Sequence, residues 1–261
     1  MADREKILRY FKAGGDEELA AKLVDLAEQA RKTGRFSVSG FLDPHACNVA
    51  EIVAANFATV KLETDGGFSH AERVKAAFVA EEFYGSADFG LVFYQVRWDK
   101  RYYELGHRDV LGAFMSLGCS REALGDIVPV SEGAQLAVDK ALAGYIENNL
   151  TQIGSAPVTL ERIGREALQE KEEKVKVISA TVAALRLDAV AAAGYGTSRS
   201  RMAEEIKSQN VKVNWKEAKN AAQAVVQGDV ISFRGRGRVE LAEVRGLTKK
   251  GRCSITLKRY I

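Results

Sequence analysis

Between Phe89 and Leu160 the apolar pattern spells strand, helix, strand, strand, helix, strand within about 75 residues. Phe89-Gly90-Leu91-Val92-Phe93-Tyr94-Gln95-Val96 is a strand by its aromatic and β-branched content. Asp109 to Leu117 is a helix, stopped by Gly118 as a C′ glycine. Asp126 to Val130 is a strand whose Pro129 puts it at an edge or an end. Gln135 to Val138 is the next strand. A helix follows from Asp139 to Ile153, closed by Gly154, and Val158-Thr159-Leu160 is the last strand. This is the split-βαβ order. It hosts RNA-recognition modules and many unrelated functions, so it constrains the fold more than the function.

The flanks read differently. Residues 3–31 are helical, with Ile7, Leu8 and Phe11, then Leu19, Leu23 and Leu26 at helical spacing, broken at Gly14-Gly15. Phe41-Leu42-Asp43-Pro44 turns into a second helix with Asp43 as N-cap and Pro44 at the first helical position. That helix runs through Val49, Ile52 and Val53 towards Asn56, and a short strand, Thr59 to Leu62, leads to the turn Asp65-Gly66-Gly67. Ala71 to Val79 fits helix or strand. Residues 161–176 are highly charged and read as a connection. Beyond them come a short helix around Leu187 and Val190, a turn from Gly194 to Thr197, and a helix from Ser198 to Gln209 that buries Met202 and Ile206. Asn210 is placed at the C′ position, where φ > 0 is common. Two hairpins finish the chain, carried by Val239, Leu241, Cys253, Ile255 and Leu257. The expected fold is α+β: an N-terminal helical-rich region (1–80), a split-βαβ middle domain (81–165), a charged connection (166–182) and a C-terminal module (183–261).

Charge is unevenly spread. Net charge over 261 residues is only +3. Residues 186–261 hold 16 Lys and Arg against 7 Asp and Glu, and the rest of the chain is net acidic. A basic module on an acidic body points to a polyanion partner. Arg199 and Arg201 share the first turn of a helix, where the positive end of the macrodipole disfavours cations. A bound phosphate removes that penalty, and the helix amides add donors to it. Ser198, Ser200, Lys207, Lys212 and Lys216 fall around the same module. Two readings stand for Arg199: phosphate contact, or an ion pair with a carboxylate such as Asp188. Two also stand for Trp215: stacking on an unpaired base, or filling a small core.

Four short motifs fall in order here: Arg186-Leu187-Asp188, Ser198-Arg199-Ser200-Arg201, Val211-Lys212-Val213-Asn214 and Gly228-Asp229. Together they resemble the S4 RNA-binding domain over about residues 183–232. The resemblance implies two helices and a β-hairpin that grip structured RNA, with Arg199, Arg201, Lys212 and Asn214 at or near the RNA; Arg186, Ser198, Ser200, Lys207, Trp215 and Lys216 complete the expected RNA-binding set. Asn210 and Trp215 stand where glycine is common, and Trp215 puts the hairpin turn in question. Phe41-Leu42-Asp43-Pro44, Ala71-Glu72-Arg73, His107-Arg108-Asp109-Val110-Leu111-Gly112-Ala113 with Leu117-Gly118, and Gly125-Asp126-Ile127 extend the resemblance to the YlmH family over nearly the whole chain. Asn214-Trp215-Lys216 also suits that family. It implies association with the large ribosomal subunit and a role in rescuing or clearing stalled nascent chains. The expected partners are ribosomal RNA and tRNA, and the protein is expected in the cytoplasm as a monomer off the ribosome.

Other classes fit less well. Arg-Leu-Asp also surrounds the catalytic aspartate of pseudouridine synthases, but there a large catalytic domain follows the S4 module. Here the module itself uses the remaining residues, and Asp188 is expected to accept backbone N–H bonds at a helix start. An adaptor in cell division or photosystem II assembly is a third class. His107 with Arg108 and Asp109 reads as a general base or, more simply, as a helix start. His45, His70 and the scattered Cys47, Cys119 and Cys253 have no metal-ligand spacing, so no metal, catalytic residue or cofactor is expected. The first residues lack an apolar signal core, and no run of about 18 apolar residues spans a membrane.

Overall fold

The computed structural model describes residues 4–170 and 175–260, with 32% of the chain in helix and 35% in strand. Two compact units divide it, residues 1–171 and 172–261. In the first, α1 (Arg4–Lys12) and α2 (Glu17–Thr33) separate at Gly14-Gly15. The stripe Leu23, Val24, Ala27 and Ala30 of α2 packs towards a sheet of β1 (Phe36–Leu42), β3 (Val74–Ala80) and β2 (Val60–Asp65), antiparallel in the order β1-β3-β2. Between β1 and β2 lies α3 (Pro44–Ala55). Asp43 caps it by accepting the Ala46 N–H at 2.9 Å, with Pro44 at its first position.

Two readings of this region change. Phe36–Leu42 is a strand that composition hides, because Ser37 and Ser39 sit on its buried side. Ser39 Oγ accepts the Ala76 N–H at 2.9 Å and donates to Gly40 O, so the polar atoms are satisfied in the sheet. The ambiguous run Ala71 to Val79 resolves as β3. That strand is central and covered on both faces, so it shows neither helical nor alternating periodicity.

The split-βαβ order is present. Its elements are β4 (Leu91–Arg97), α4 (His107–Ser116), β5 (Leu124–Val130), β6 (Gly133–Asp139), α5 (Ala143–Asn149) and β9 (Thr159–Ile163). The strands form a four-stranded antiparallel sheet in the order β5-β6-β4-β9. Pro129 lies in the edge strand β5, where a missing N–H costs no ladder bond. Both helices contribute to a core with one face of the sheet, through Val110, Phe114 and Ile146 against Val92, Tyr94, Val96 and Leu136. Tyr94 is wholly buried, and its hydroxyl donates to Glu147 Oε1 at 2.7 Å.

The helix expected from Asp139 to Ile153 is mostly something else. Helix α5 holds only seven residues, and Ile153 belongs to a two-strand pair, β7 (Gln152–Ile153) with β8 (Ala156–Pro157), turned at Gly154. Asn148 and Asn149 end the helix. Both are poor helix formers, and each side chain donates back to a carbonyl four residues earlier, at 2.7 Å.

In the second unit the strands are β10 (Val175–Val182), β11 (Val211–Val213), β12 (Lys216–Glu217), β13 (Val230–Phe233), β14 (Gly237–Leu247) and β15 (Cys253–Tyr260). They form a six-stranded antiparallel sheet in the order β10-β15-β14-β13-β11-β12. Helices α6 (Leu187–Tyr195) and α7 (Arg199–Lys207) share one core with Val211, Ile231, Val239, Leu241, Ile255 and Leu257. Gly194 is required by this packing, since a Cβ there would stand 2.6 Å from a Val239 methyl. The hydroxyl of Tyr195 ties α6 to the sheet, 2.8 Å from Ile231 O and 2.9 Å from Gly237 O.

Strands occupy both ends of the expected 161–176 connection: β9 runs to Ile163 and β10 starts at Val175, while residues 171–174 lie outside the described residues. An edge strand with only Val182 buried reads as polar chain. At the end of α7 the left-handed residue is Gln209 (φ 58°) and not Asn210, whose side chain instead donates to Glu205 Oε2 at 2.9 Å.

Candidate nucleic-acid interface

The starts of α6 and α7 meet over one carboxylate. Asp188, in the first turn of α6, has a side chain only 7% exposed. Its Oδ1 accepts from Arg186 Nε at 3.2 Å, and its Oδ2 accepts from Arg186 Nη2 at 3.2 Å and from Arg199 Nη2 at 2.7 Å. Both guanidinium groups stay open to solvent, with side chains 43% and 51% exposed. Burial alone pushes the Asp188 pKa up. The bonds from Arg186 and Arg199 outweigh that and hold the carboxyl below its ordinary value. The expectation that Asp188 accepts backbone N–H bonds is therefore corrected: its acceptors serve two arginines. Ion pairing of Arg199 with Asp188 is present, and it leaves the arginine exposed.

This answers the dipole puzzle at α7. The helix has no acid in its own first turn. Asp188, brought in by the fold, neutralises part of the charge at Arg199. Ser198 is the N-cap, its Oγ accepting the Arg201 N–H at 3.2 Å and lying 3.2 Å from Ser200 Oγ. The amides of Arg199 and Ser200, at the first two helical positions, have no carbonyl within the helix to receive them. Serine hydroxyls, open amides and Arg201, itself exposed, thus stand together at one helix end.

The hairpin turn between β11 and β12 is Asn214-Trp215, with φ of 48° and 64°. Left-handed values at both central residues define the tight I′ turn, which favours Asn followed by Gly. So the turn geometry is kept although tryptophan replaces glycine. Asn214 is built into this turn: its Nδ2 donates to Asp229 Oδ1 at 2.8 Å and its Oδ1 accepts the Val230 N–H at 2.9 Å. Asp229 Oδ2 also accepts the Val226 N–H at 2.8 Å. Val211-Lys212-Val213-Asn214 and Gly228-Asp229 are thus tied together in the fold. Trp215 is half-buried at the turn and is not among the residues of the module's core.

The other candidates lie elsewhere on the module. Lys207 is exposed in the last turn of α7, where a cation suits the dipole. Lys212 is paired across the sheet with Ser232, and Ser232 with Arg238, whereas Val213, Ile231 and Val239 alternate onto the helix side. Lys212 and Arg238 therefore share the sheet face turned away from α6 and α7. Lys216 is exposed beside the turn. The fold brings Arg186 and Arg199 together at Asp188, sets Ser198, Ser200 and Arg201 at the same helix start, and distributes the rest.

The middle sheet is not an open platform. In an RNA-recognition-like module the face away from the helices carries aromatic side chains on which bases stack. Here that face is Phe93, Gln95, Val128, Gln135 and Ala137, all buried. Phe41 of β1, with Phe68 and Ala71, packs on it from the N-terminal region, and Leu168 from the chain after β9. The guanidinium of Arg165 lies 5.4 Å over the Phe93 ring, and Gly67 is so close that a Cβ would stand 2.2 Å from that ring. Gln135 Nε2 donates to Ala167 O at 3.0 Å, and its Oε1 accepts the Gln169 N–H at 2.7 Å.

Polar clamps surround this shared core. Asp126 accepts the N–H groups of Glu72 at 2.8 Å and Arg73 at 3.1 Å, and Arg73 donates to Phe41 O at 2.7 Å. Lys75, buried in β3, donates to Asp139 Oδ2 at 2.7 Å. Burial pushes the Arg121 guanidinium down to about 10, helped by the charge of Arg73. Ala71-Glu72-Arg73, Gly125-Asp126-Ile127 and Phe41 thus hold two sheets together. Asp109 accepts the Gly106 N–H at 2.8 Å, so it acts at a helix start. No helix among the described residues is long and apolar enough to cross a membrane.

Three family models match the chain: "YlmH, N-terminal" over residues 15–83, "Putative RNA-binding domain in YlmH" over 85–167, and "S4 domain" over 185–231. Over 226 residues the chain is 36% identical to "Ribosome-associated protein quality control protein P2" of Bacillus subtilis (strain 168), covering 86% of this chain and 88% of that protein. A solved structure, "Cell division protein ylmH from Streptococcus pneumoniae", matches with a TM-score of 0.51 and 22% identity, over 59% of this chain and 95% of that one. At that identity the likeness is one of fold.

Proposed function

This chain is an RNA-binding protein of the YlmH family, and we propose that its S4 module docks on structured RNA, ribosomal or transfer, at the large ribosomal subunit. The Bacillus subtilis relative, named for ribosome-associated quality control, supports a role in that process or in translation support. The observation that carries the reading is the pair of half-exposed arginines, Arg186 and Arg199, beside the open start of α7. Guanidinium groups and helix amides are phosphate ligands. Arg201, Lys207, Lys212 and Lys216 add positive charge, and Asn214 braces the hairpin that presents Trp215. The chain acts by binding, without catalysis or cofactor, in the cytoplasm and as a monomer off the ribosome. The carboxylate in the Arg-Leu-Asp motif, which an enzyme reading would use, is buried under two guanidinium groups.

Co-sedimentation of the full chain with large ribosomal subunits at rising salt tests this. Each neutralised phosphate releases counterions, so four such contacts should weaken binding roughly hundredfold between 50 and 200 mM salt. A flat response would remove the phosphate mechanism.

Trp215 gives a test of base stacking at the hairpin turn. A left-handed φ strains a bulky residue by about 1–2 kcal/mol, so glycine relieves strain here while giving up the burial of a half-buried ring. The two effects oppose each other, so Trp215→Gly should leave the melting temperature within a few degrees of wild type. RNA affinity should fall about tenfold, the loss of one stacked base. If binding stays constant in a folded Trp215→Gly protein, Trp215 is not a stacking residue.

A further inference from the structure

We propose that Asp188 is a positioning residue for RNA binding: it never touches the RNA, but aims Arg186 and Arg199 at it. The inference rests on the reading that the starts of α6 and α7 face RNA. Asp188 is too deeply placed to meet a ligand itself, and its carboxylate spans both guanidinium groups, 2.7 Å from one and 3.2 Å from the other. The amides of the α6 first turn are not available for an anion. Leu187 N–H donates to Gln223 O at 2.9 Å and Asp188 N–H to Ala221 O at 3.0 Å. Binding at this point therefore falls to the arginine side chains.

Two arginines side by side repel each other and carry much rotamer freedom. Asp188 cancels one of the two charges and holds Arg186 through Nε and Nη2 and Arg199 through Nη2, while both side chains stay about half exposed. The ordering cost is thus met during folding instead of on binding. Simple electrostatics predicts that removing an acid from an RNA-binding face strengthens binding. Positioning predicts the reverse.

Asp188→Asn keeps the shape and removes the charge. Affinity of the full chain for ribosomal RNA, measured by filter binding at fixed salt, should fall about tenfold, the scale of one charge-assisted hydrogen bond. In an Arg199→Ala background the same change should cost less, because one of the two groups that Asp188 aims is gone and only Arg186 is left to position. An equal loss in both backgrounds, or a gain in affinity, overturns the proposal. Arg199→Lys guards against a folding failure of the Asn variant, since it lies on the surface and keeps the charge. Without the planar fork it should bind nearly as weakly as Arg199→Ala, and wild-type binding by Arg199→Lys would overturn the proposal as well. If Arg199→Ala itself leaves binding unchanged, the underlying RNA-face reading fails. If Arg199→Ala weakens binding while Asp188→Asn does not, only the positioning role fails.

Discussion

Replacing Phe93 with alanine should destabilise the protein by about 3–5 kcal/mol and leave RNA affinity unchanged. On an open RNA-recognition sheet an aromatic in this position stacks on a base, and its removal weakens binding with little loss of stability. Here the ring sits in a shared core with Phe41, Phe68, Val128, Val130 and Ala137. Truncation leaves a cavity in the seam between two sheets, and the seam cannot collapse easily. Gly67 is held over the ring at φ 85° by its turn, in which Asp65 accepts the Gly67 N–H at 2.8 Å. Asp126, Lys75 and Arg73 clamp the same seam through hydrogen bonds. Urea unfolding of the full chain gives the stability change, and RNA titration well below the transition gives the affinity. A stable Phe93→Ala protein with weakened RNA binding would mean that the sheet opens to receive RNA.

Local chemistry was legible in the sequence, and tertiary cover was not. The Asp43 cap, the Pro44 start and Gly118 after α4 each follow from one residue's own preferences, and the structure has them all. Ser37 and Ser39 concealed β1 because a buried polar pair inverts the usual alternation. The Asn148-Asn149 ending was overrun because the apolar spacing continues to Ile153, which is buried from a hairpin instead of a helix. Around the RNA-binding module, the pairing of Arg199 with Asp188 was legible as one of two readings, and the structure has it. The second arginine on that carboxylate, Arg186, and the pairing of Asn214 with Asp229 fifteen residues on needed the fold. Nothing in Phe93, Gln95 or Gln135 shows from sequence that a second sheet covers them, since both-sided burial erases the strand period that would reveal an open face.

The double reversal Arg199→Glu with Arg201→Glu should reduce RNA binding roughly a thousandfold while the fold survives, because two charge-assisted contacts become repulsions. Arg201 is the third residue of α7, and its N–H already donates to Ser198 Oγ, so Arg201→Glu would complete a capping box there. It would also place an acid at the positive end of the dipole, and the two effects together are worth about 1 kcal/mol. Arg199→Glu acts in the opposite direction. It sets a second carboxylate against the buried one of Asp188, with only Arg186 left to balance the pair. The two changes largely offset each other, so the melting temperature should stay within a few degrees of wild type, as about 1 kcal/mol implies for a module of this size. Arg201→Glu alone should then melt higher than wild type yet bind RNA more weakly, as measured by calorimetry and by subunit co-sedimentation. A residue that costs the helix stability and supplies the binding is what a phosphate-contacting role at a helix start requires. If Arg201→Glu both melts higher and binds as before, Arg201 is a tolerated surface charge, and the contact at this helix start comes from Arg186, Arg199 and the open amides.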